Sequence, residues 1–193
     1  MKGFIKNFQS ILAAALVLLS SCSGRTEGCR ISLTSTAEPY GIALFETLDG
    51  TLIDSVGIGS GKVEFEVSGS IAEPYLCMIR LVNPDDAEDT VDIPVGIENG
   101  DVRISYGETF RTGGTPLNEN VMVFFSGLSQ LRDRVTSPDS EVATADIPAE
   151  FSHYYLGAIS YNAGNPLGEY ILDRYGNHLL GDDLEKANKV LKK

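Results

Sequence analysis

Between residues 29 and 111 apolar and polar side chains alternate with period two. Ile31 and Leu33 alternate with Arg30, Ser32 and Thr34. Val63, Phe65 and Val67 alternate with Lys62, Glu64 and Glu66, and Val102, Ile104 and Tyr106 with Asp101, Arg103 and Ser105. One apolar side in such a pattern predicts half-buried strands whose other face meets water. Segments 41–48 and 75–82 are apolar on both sides and predict central strands covered on both faces. Asp49-Gly50 predicts a two-residue type I′ hairpin turn, because that turn needs positive φ at both positions. Gly59-Ser60-Gly61 and Asn99-Gly100-Asp101 mark further turns. Val91, Ile93, Val95 and Ile97 read as another strand. Pro94 inside it has no N–H to donate, which places that segment at an edge or a bulge. Seven or eight short strands with regular turns predict an antiparallel sandwich or barrel.

The period then changes. Gly113-Gly114 breaks the strands, Thr115 is placed as a helix N-cap and Pro116 as the first helical residue. Leu117, Val121, Phe124, Phe125, Leu128, Leu131 and Val135 follow at helical spacing, a stripe that needs a sheet or another helix to cover it. Residues 136–145 are polar and read as an exposed loop. Phe151, Tyr155 and Ile159 predict a second helix, ended by Gly164-Asn165-Pro166, and residues 167–179 a third. A fourth follows, with Asp182 as N-cap and Glu185 three residues on, a variant of the capping box. The expected fold class is therefore α+β: a β-sandwich at 29–115 followed by a helical extension at 116–193.

The N-terminus changes the picture of where this body works. Lys2 and Lys6 precede a nine-residue apolar run at 11–19, which is too short to span a bilayer and reads as a signal-peptide core. It ends in Leu19-Ser20-Ser21-Cys22, which resembles a bacterial lipobox, so residues 1–21 are expected to be removed and Cys22 to be lipidated. Residues 22–28 are then a short flexible leader. Two or more acyl chains on Cys22 anchor stably, where one holds only reversibly. The leader has no run of acids, which favours the periplasmic side of the outer membrane over the cell surface.

At 42% hydrophobic and 22% charged, the 193-residue chain has an ordinary globular composition. Its formal charge is −12, and removing residues 1–21 takes away two lysines and no acid, which leaves −14. Such acidity argues against nucleic acid, whose phosphates need a basic patch. It also holds the body off an anionic leaflet rather than flattening it there. Beyond Cys22 only Cys29 and Cys77 remain. Spacing leaves two alternatives for them, a disulfide or two small buried residues. No C-x-x-C is present, so the chain lacks a dithiol redox motif.

Candidate chemistry is sparse. The string Gly57-Ile-Gly-Ser-Gly-Lys62 lacks the glycine and the Ser or Thr that a phosphate loop needs, since Val56 and Val63 hold those places, and it reads as a hairpin turn. Asp85, Asp86, Glu88 and Asp89 lack the spacing of a calcium loop and read as a solvated acidic loop. His153 and His178 stand in no zinc motif, and Ser126-Gly127 in no nucleophile elbow. Tyr154, Tyr155, Tyr161, Tyr170 and Tyr175 suit packing between helices better than an aromatic binding platform. No catalytic residue, metal site or cofactor is assigned.

As a set, GTLIDSV at 50–56, GKVEFEVSG at 61–69 with Glu73-Pro74, IENGDVRI at 97–104, GGTPLN at 113–118 and NPLG at 165–168 resemble a known family. It is the β-rich N-terminal domain of unknown function that precedes the thioredoxin-like domain of membrane-anchored bacterial thiol-disulfide oxidoreductases and peroxiredoxin-like lipoproteins. In that family the later domain carries the C-x-x-C, and Cys29 and Cys77 do not match its cysteines. The resemblance implies the fold, an envelope location and a non-catalytic role. The expectation is thus a lipid-anchored envelope protein that binds or docks another envelope protein, with the membrane as a partner through Cys22. Its contact surface is placed at Asp85, Asp86, Glu88, Asp89 and the edge at Pro94. The alternatives are a redox accessory using Cys29 and Cys77, and a carbohydrate binder using the tyrosines.

Overall fold

Period-two patterning over residues 29–113 becomes eight strands in a computed structural model that describes residues 27–192. The strands are β1 (Cys29–Ser35), β2 (Ile42–Thr47), β3 (Leu52–Gly57), β4 (Lys62–Val67), β5 (Tyr75–Asn83), β6 (Asp86–Ile97), β7 (Gly100–Tyr106) and β8 (Arg111–Gly113). They form two four-stranded sheets, ordered β4-β1-β7-β8 and β3-β2-β5-β6. Four helices follow: α1 (Pro116–Thr136), α2 (Ile147–Tyr161), α3 (Pro166–Tyr175) and α4 (Asp183–Leu191). The fold is mixed α+β, with the two sheets open and face to face rather than closed into a barrel. The predicted signal peptide and the lipidation site Cys22 lie outside the described residues.

The strand pairing is not wholly antiparallel. β1 runs antiparallel to β4 but parallel to β7, with Ile31 opposite Val102 and Leu33 opposite Ile104. The 57–62 string, read as a hairpin turn, and the turn at Asn99-Gly100 are both crossings between sheets. Residues 58–61 carry the chain from β3 to β4, and Asn99 carries it from β6 to β7. Only the β2–β3 and β5–β6 connections join neighbours within the second sheet, and β7–β8 within the first.

The predicted turn at Asp49-Gly50 also takes another form. Among these residues only Gly50 has positive φ, +86°. The Gly50 N–H donates to the Thr47 carbonyl at 3.0 Å, and the Thr47 N–H to the Thr51 carbonyl at 2.9 Å. The loop is therefore three residues long, Leu48 to Gly50, with glycine in the left-handed position. Asp49 keeps an ordinary φ and turns its carboxylate inward to accept from the Thr47 hydroxyl and from the N–H and hydroxyl of Thr51. Those bonds hold the Asp49 carboxyl below the usual range.

The inner faces of the sheets bury Ile31, Leu33, Phe45, Val63, Phe65, Ile79, Leu81, Val95 and Val102 as one core. A second core lies on the other side of β5, where Leu76 and Met78 meet Leu117, Val121, Phe124, Tyr155, Leu167 and Ile171 from the helices. Of the two strands predicted to be covered on both faces, only β5 is. On β2 the outward Glu46 is buried but charged, and Ile42 is 36% exposed.

Helix starts and stops depart from the simple capping rules. Thr115 stands at the N-cap of α1 with Pro116 following, but its hydroxyl accepts from the Asn118 amide, and the open N–H of Leu117 goes to the Glu98 carboxylate. α3 ends at Tyr175, because Gly176 opens a short 3-10 turn that drops Leu179 into the core. Asp182 makes no capping bond. Asp183 is the residue held in place, accepting from the Ser152 hydroxyl and Lys186.

Candidate functional site: a groove beside the β6 edge

β6 is an edge strand, and two devices deny it as a free edge near its end. The Asn118 side chain, fully buried on α1, accepts from the Gly96 N–H at 3.0 Å and donates to the Gly96 carbonyl at 2.8 Å. A primary amide thus imitates a neighbouring strand at that residue. Residues two apart on a strand point their backbone groups the same way. Pro94 therefore lacks its N–H on the outward side, where no strand requires it. A Cβ at Gly96 would stand 2.6 Å from Leu117 Cγ, so the glycine lets α1 lie directly on the edge.

Beyond Pro94 the helix and the edge part. A groove of about 720 Å³ opens between Val91–Pro94 of β6, Met122, Phe125 and Ser129 of α1, and the β7–β8 connection at residues 108–111. Its volume falls in the range of small-ligand and peptide sites. The floor is apolar: Pro94 is buried, and Phe110 packs edge-to-face on Phe125 at 5.7 Å, which in turn meets Phe124 at 5.0 Å. The rim carries Asp92, Glu108 and Arg111.

Asp92 is not a free acid. Arg80 Nε reaches it at 2.8 Å and Arg174 at 3.3 Å, while Arg80 also reaches the buried Glu46 at 3.1 Å. These four residues form a charged chain across β2, β5, β6 and α3. No hydrogen bond among the described residues joins Thr109, Thr112, Ser126 or Ser129 of these walls to a carboxylate or histidine; Thr112 reaches Asn118 and Ser126 accepts from Gln130. Among the described residues no group of three or more His, Cys, Asp or Glu side chains converges as a metal site. None of the helices described is long and apolar enough to cross a membrane.

The residues expected to form one contact surface are divided by the fold. Asp85, Asp86 and Glu88 are exposed at the β5–β6 hairpin tip. The stretch read as a loop is mostly strand, since β6 begins at Asp86 and carries an irregularity where Asn83 pairs with Asp86 but Val82 with Thr90. Asp89 is half-buried and accepts from the Tyr40 hydroxyl at 3.2 Å and the Asn83 amide at 3.1 Å. Pro94 is no exposed edge: it lies on the groove floor, about 25 Å of strand from Asp86. Tyr40 links the two places, since its ring meets that of Tyr106 in the groove wall at 6.3 Å.

Cys29 and Cys77 are free thiols on opposite sheets, 0% and 1% exposed in the core. Burial raises both, and Cys77 titrates near pH 11. Four of the five tyrosines pack between helices. Tyr155 stacks on Tyr175 at 4.9 Å, Tyr154 on Phe124 at 5.9 Å, and Tyr170 is 7% exposed. Burial pushes Tyr154 and Tyr170 up to about 12. Only Tyr161 is exposed.

Sequence reasoning missed Phe110, Met122, Arg111 and the sealing role of Asn118. One signal was present: the doublet Phe124-Phe125 widens the apolar stripe of α1 beyond what a single sheet contact uses. Comparison with known protein families, with curated protein sequences and with solved structures finds no match to this chain.

Proposed function

We propose that the protein is a lipid-anchored envelope protein, held through Cys22, that acts as a non-catalytic docking module for another envelope protein. Support for the anchor is the ordered string of Lys2 and Lys6, the apolar run and Leu19-Ser20-Ser21-Cys22. The docking role rests on one observation, the groove between β6, α1 and the β7–β8 connection. Its apolar floor beside a partly opened strand edge suits an extended segment held by side-chain contacts, and Pro94 limits ladder pairing there. The resemblance to the domain that precedes thioredoxin-like partners agrees with this reading and makes an oxidoreductase on a separate chain the first partner to test. The buried, high-titrating thiols withdraw support from a redox accessory, and the filled tyrosine interface withdraws it from a sugar-binding platform.

The test is a photo-crosslinking amino acid at Ser129, on the groove rim, compared with one at Glu66 on β4 in cells making the full chain. A discrete adduct with one envelope protein from position 129 and not from position 66 is the expected result. No adduct from 129, or the same adducts from both, refutes docking at the groove. Incorporation of labelled palmitate that is lost in Cys22→Ala checks the anchor separately.

A further inference from the structure

Four of the large apolar side chains left exposed lie at one end of the sandwich. Leu48, Leu52 and Ile53 are 49%, 56% and 50% exposed at the β2–β3 loop, and Tyr75, 42% exposed, opens β5. The register brings them together. Thr47 pairs with Cys77 and Glu46 with Leu52, so the loop lies level with Tyr75 and Leu76, the first residues of β5.

The chain enters the body at this same end. Cys29 begins β1 and pairs with Gly100 at the start of β7, separated by two residues from the end of β6, where Ile97 pairs with Tyr75. Gly28 is fastened there by its N–H to Asn99, whose amide also pairs with the backbone of Ile71. Cys22 precedes Cys29 by seven positions, a length of chain that spans at most about 25 Å. A lipidated Cys22 therefore keeps the end bearing Leu48, Leu52, Ile53 and Tyr75 close to the bilayer.

Acids flank this apolar end as well. Asp49, exposed in the loop, keeps its carboxylate on Thr47 and Thr51, and Asp54 and Glu73 are exposed nearby, so contact must come from Leu48, Leu52, Ile53 and Tyr75 in spite of these three charges. Asp85, Asp86 and Glu88 sit past the far end of β5, roughly 30 Å away along the strand. Repulsion from anionic headgroups fades over about 8 Å at physiological salt, so that distant acidic end is not felt.

We propose that the Leu48–Leu52–Ile53–Tyr75 end is a membrane-facing tip that rests in the interfacial layer of the bilayer holding the acyl chains. The body stands end-on, with its acidic hairpin directed away. Leucine and tyrosine at a loop tip bury apolar surface at headgroup depth while their backbone and hydroxyl stay wet. The inference rests on the lipid-anchored reading.

The chain contains no tryptophan, so a single one reports its own depth. Leu52→Trp and Glu88→Trp, both at exposed positions, are made in the full lipidated protein, with Ile53→Trp as a second reporter at the tip. Each is reconstituted in vesicles of phosphatidylethanolamine with a minority of phosphatidylglycerol and a brominated phosphatidylcholine. Tryptophan at 52 and 53 is expected to shift its emission to the blue and to be quenched several-fold more than at 88. Vesicle-bound protein in which positions 52, 53 and 88 are quenched alike overturns the tip and leaves the anchor standing. Protein that stays in the supernatant on flotation overturns both.

Discussion

Replacing Asn118 with alanine tests whether one side chain holds the helical layer to the sandwich. Its amide makes two bonds to the Gly96 backbone, at 3.0 and 2.8 Å, and a third to the Thr115 hydroxyl at 2.8 Å, all inside a fully buried site. Alanine removes the partner and leaves the Gly96 N–H and carbonyl dry. Each orphaned backbone group costs about 1–3 kcal/mol. Thr115 keeps a hydroxyl that can turn, so it adds little. The expected loss is about 3–5 kcal/mol, a fifth or more of the roughly 5–15 kcal/mol stability of an ordinary domain. Urea unfolding followed by circular dichroism measures it from the midpoint and slope. Gln130→Ala, which removes only an exposed 3.3 Å bond to Ser126, should stay within about 0.5 kcal/mol. Asn118→Leu keeps the volume and still orphans Gly96, so it should be no better than alanine. A loss below about 1 kcal/mol for Asn118→Ala, or full recovery with leucine, would refute the view that the amide substitutes for a missing strand.

The same contact makes Gly96→Ala unfavourable by about 1–3 kcal/mol through the clash with Leu117, and Leu117→Ala should relieve part of it in a double-mutant cycle. Strict additivity of the two changes would count against direct packing there. Arg80→Met leaves Glu46 buried without its cation and should cost about 3 kcal/mol, while Glu46→Gln together with Arg80→Met should recover much of that in urea titrations. For Cys29 and Cys77, a thiol reagent at pH 8 should react slowly with the folded protein and fast in urea. Burial raises Cys77 from 9.0 to about 11, so its contribution is complete below pH 9 and is lost as pH rises through 11. Cys77→Val should flatten that part of the alkaline limb, read as melting temperature against pH.

Strands and the first helix were legible because burial of one face imposes a period that any chain must show. Ile31, Leu33, Phe65 and Val102 are buried as their alternation requires, and so are Leu117, Val121 and Phe124 on α1. What periodicity does not carry is which strand lies beside which. The parallel β1–β7 pair joins residues some seventy positions apart, and nothing in either strand encodes that register. Turn chemistry was misread where side chains compete with the backbone, as at Asp49, whose carboxylate favours a loop one residue longer. The groove was hidden for a related reason. It exists because α1 stops following β6 after Pro94, and that divergence comes from Gly96, Asn118 and Leu117 meeting across the fold rather than from any local string.

β5 accounts for the placement of the two proposed contact surfaces toward opposite ends of the sandwich. Its inner side chains, Cys77, Ile79 and Leu81, hold the two sheets together. On its outer side Leu76 and Met78 bind the helices, but Arg80, two residues on, is half-buried and ionic. Apolar cover therefore ends midway along the sheet. From that point the chain Glu46–Arg80–Asp92–Arg174 closes the surface with paired charge, which satisfies the backbone's neighbours without offering an adhesive face. Apolar surface escapes cover where the helices have diverged from β6, at the Pro94–Phe125 groove, around the β2–β3 loop at Leu48 and Leu52, and in the helical extension at Val123, Tyr161, Leu180 and Leu184. The groove reaches up to Tyr106 and residues 108–110, toward the end of the sandwich that holds the acidic hairpin, while Leu48 and Leu52 share the other end with the start of β1. A protein tethered through its N-terminus would thus present a docked partner away from the bilayer, and the outer face of a single strand, apolar at Leu76 and Met78 and ionic at Arg80, lies between the two proposed surfaces.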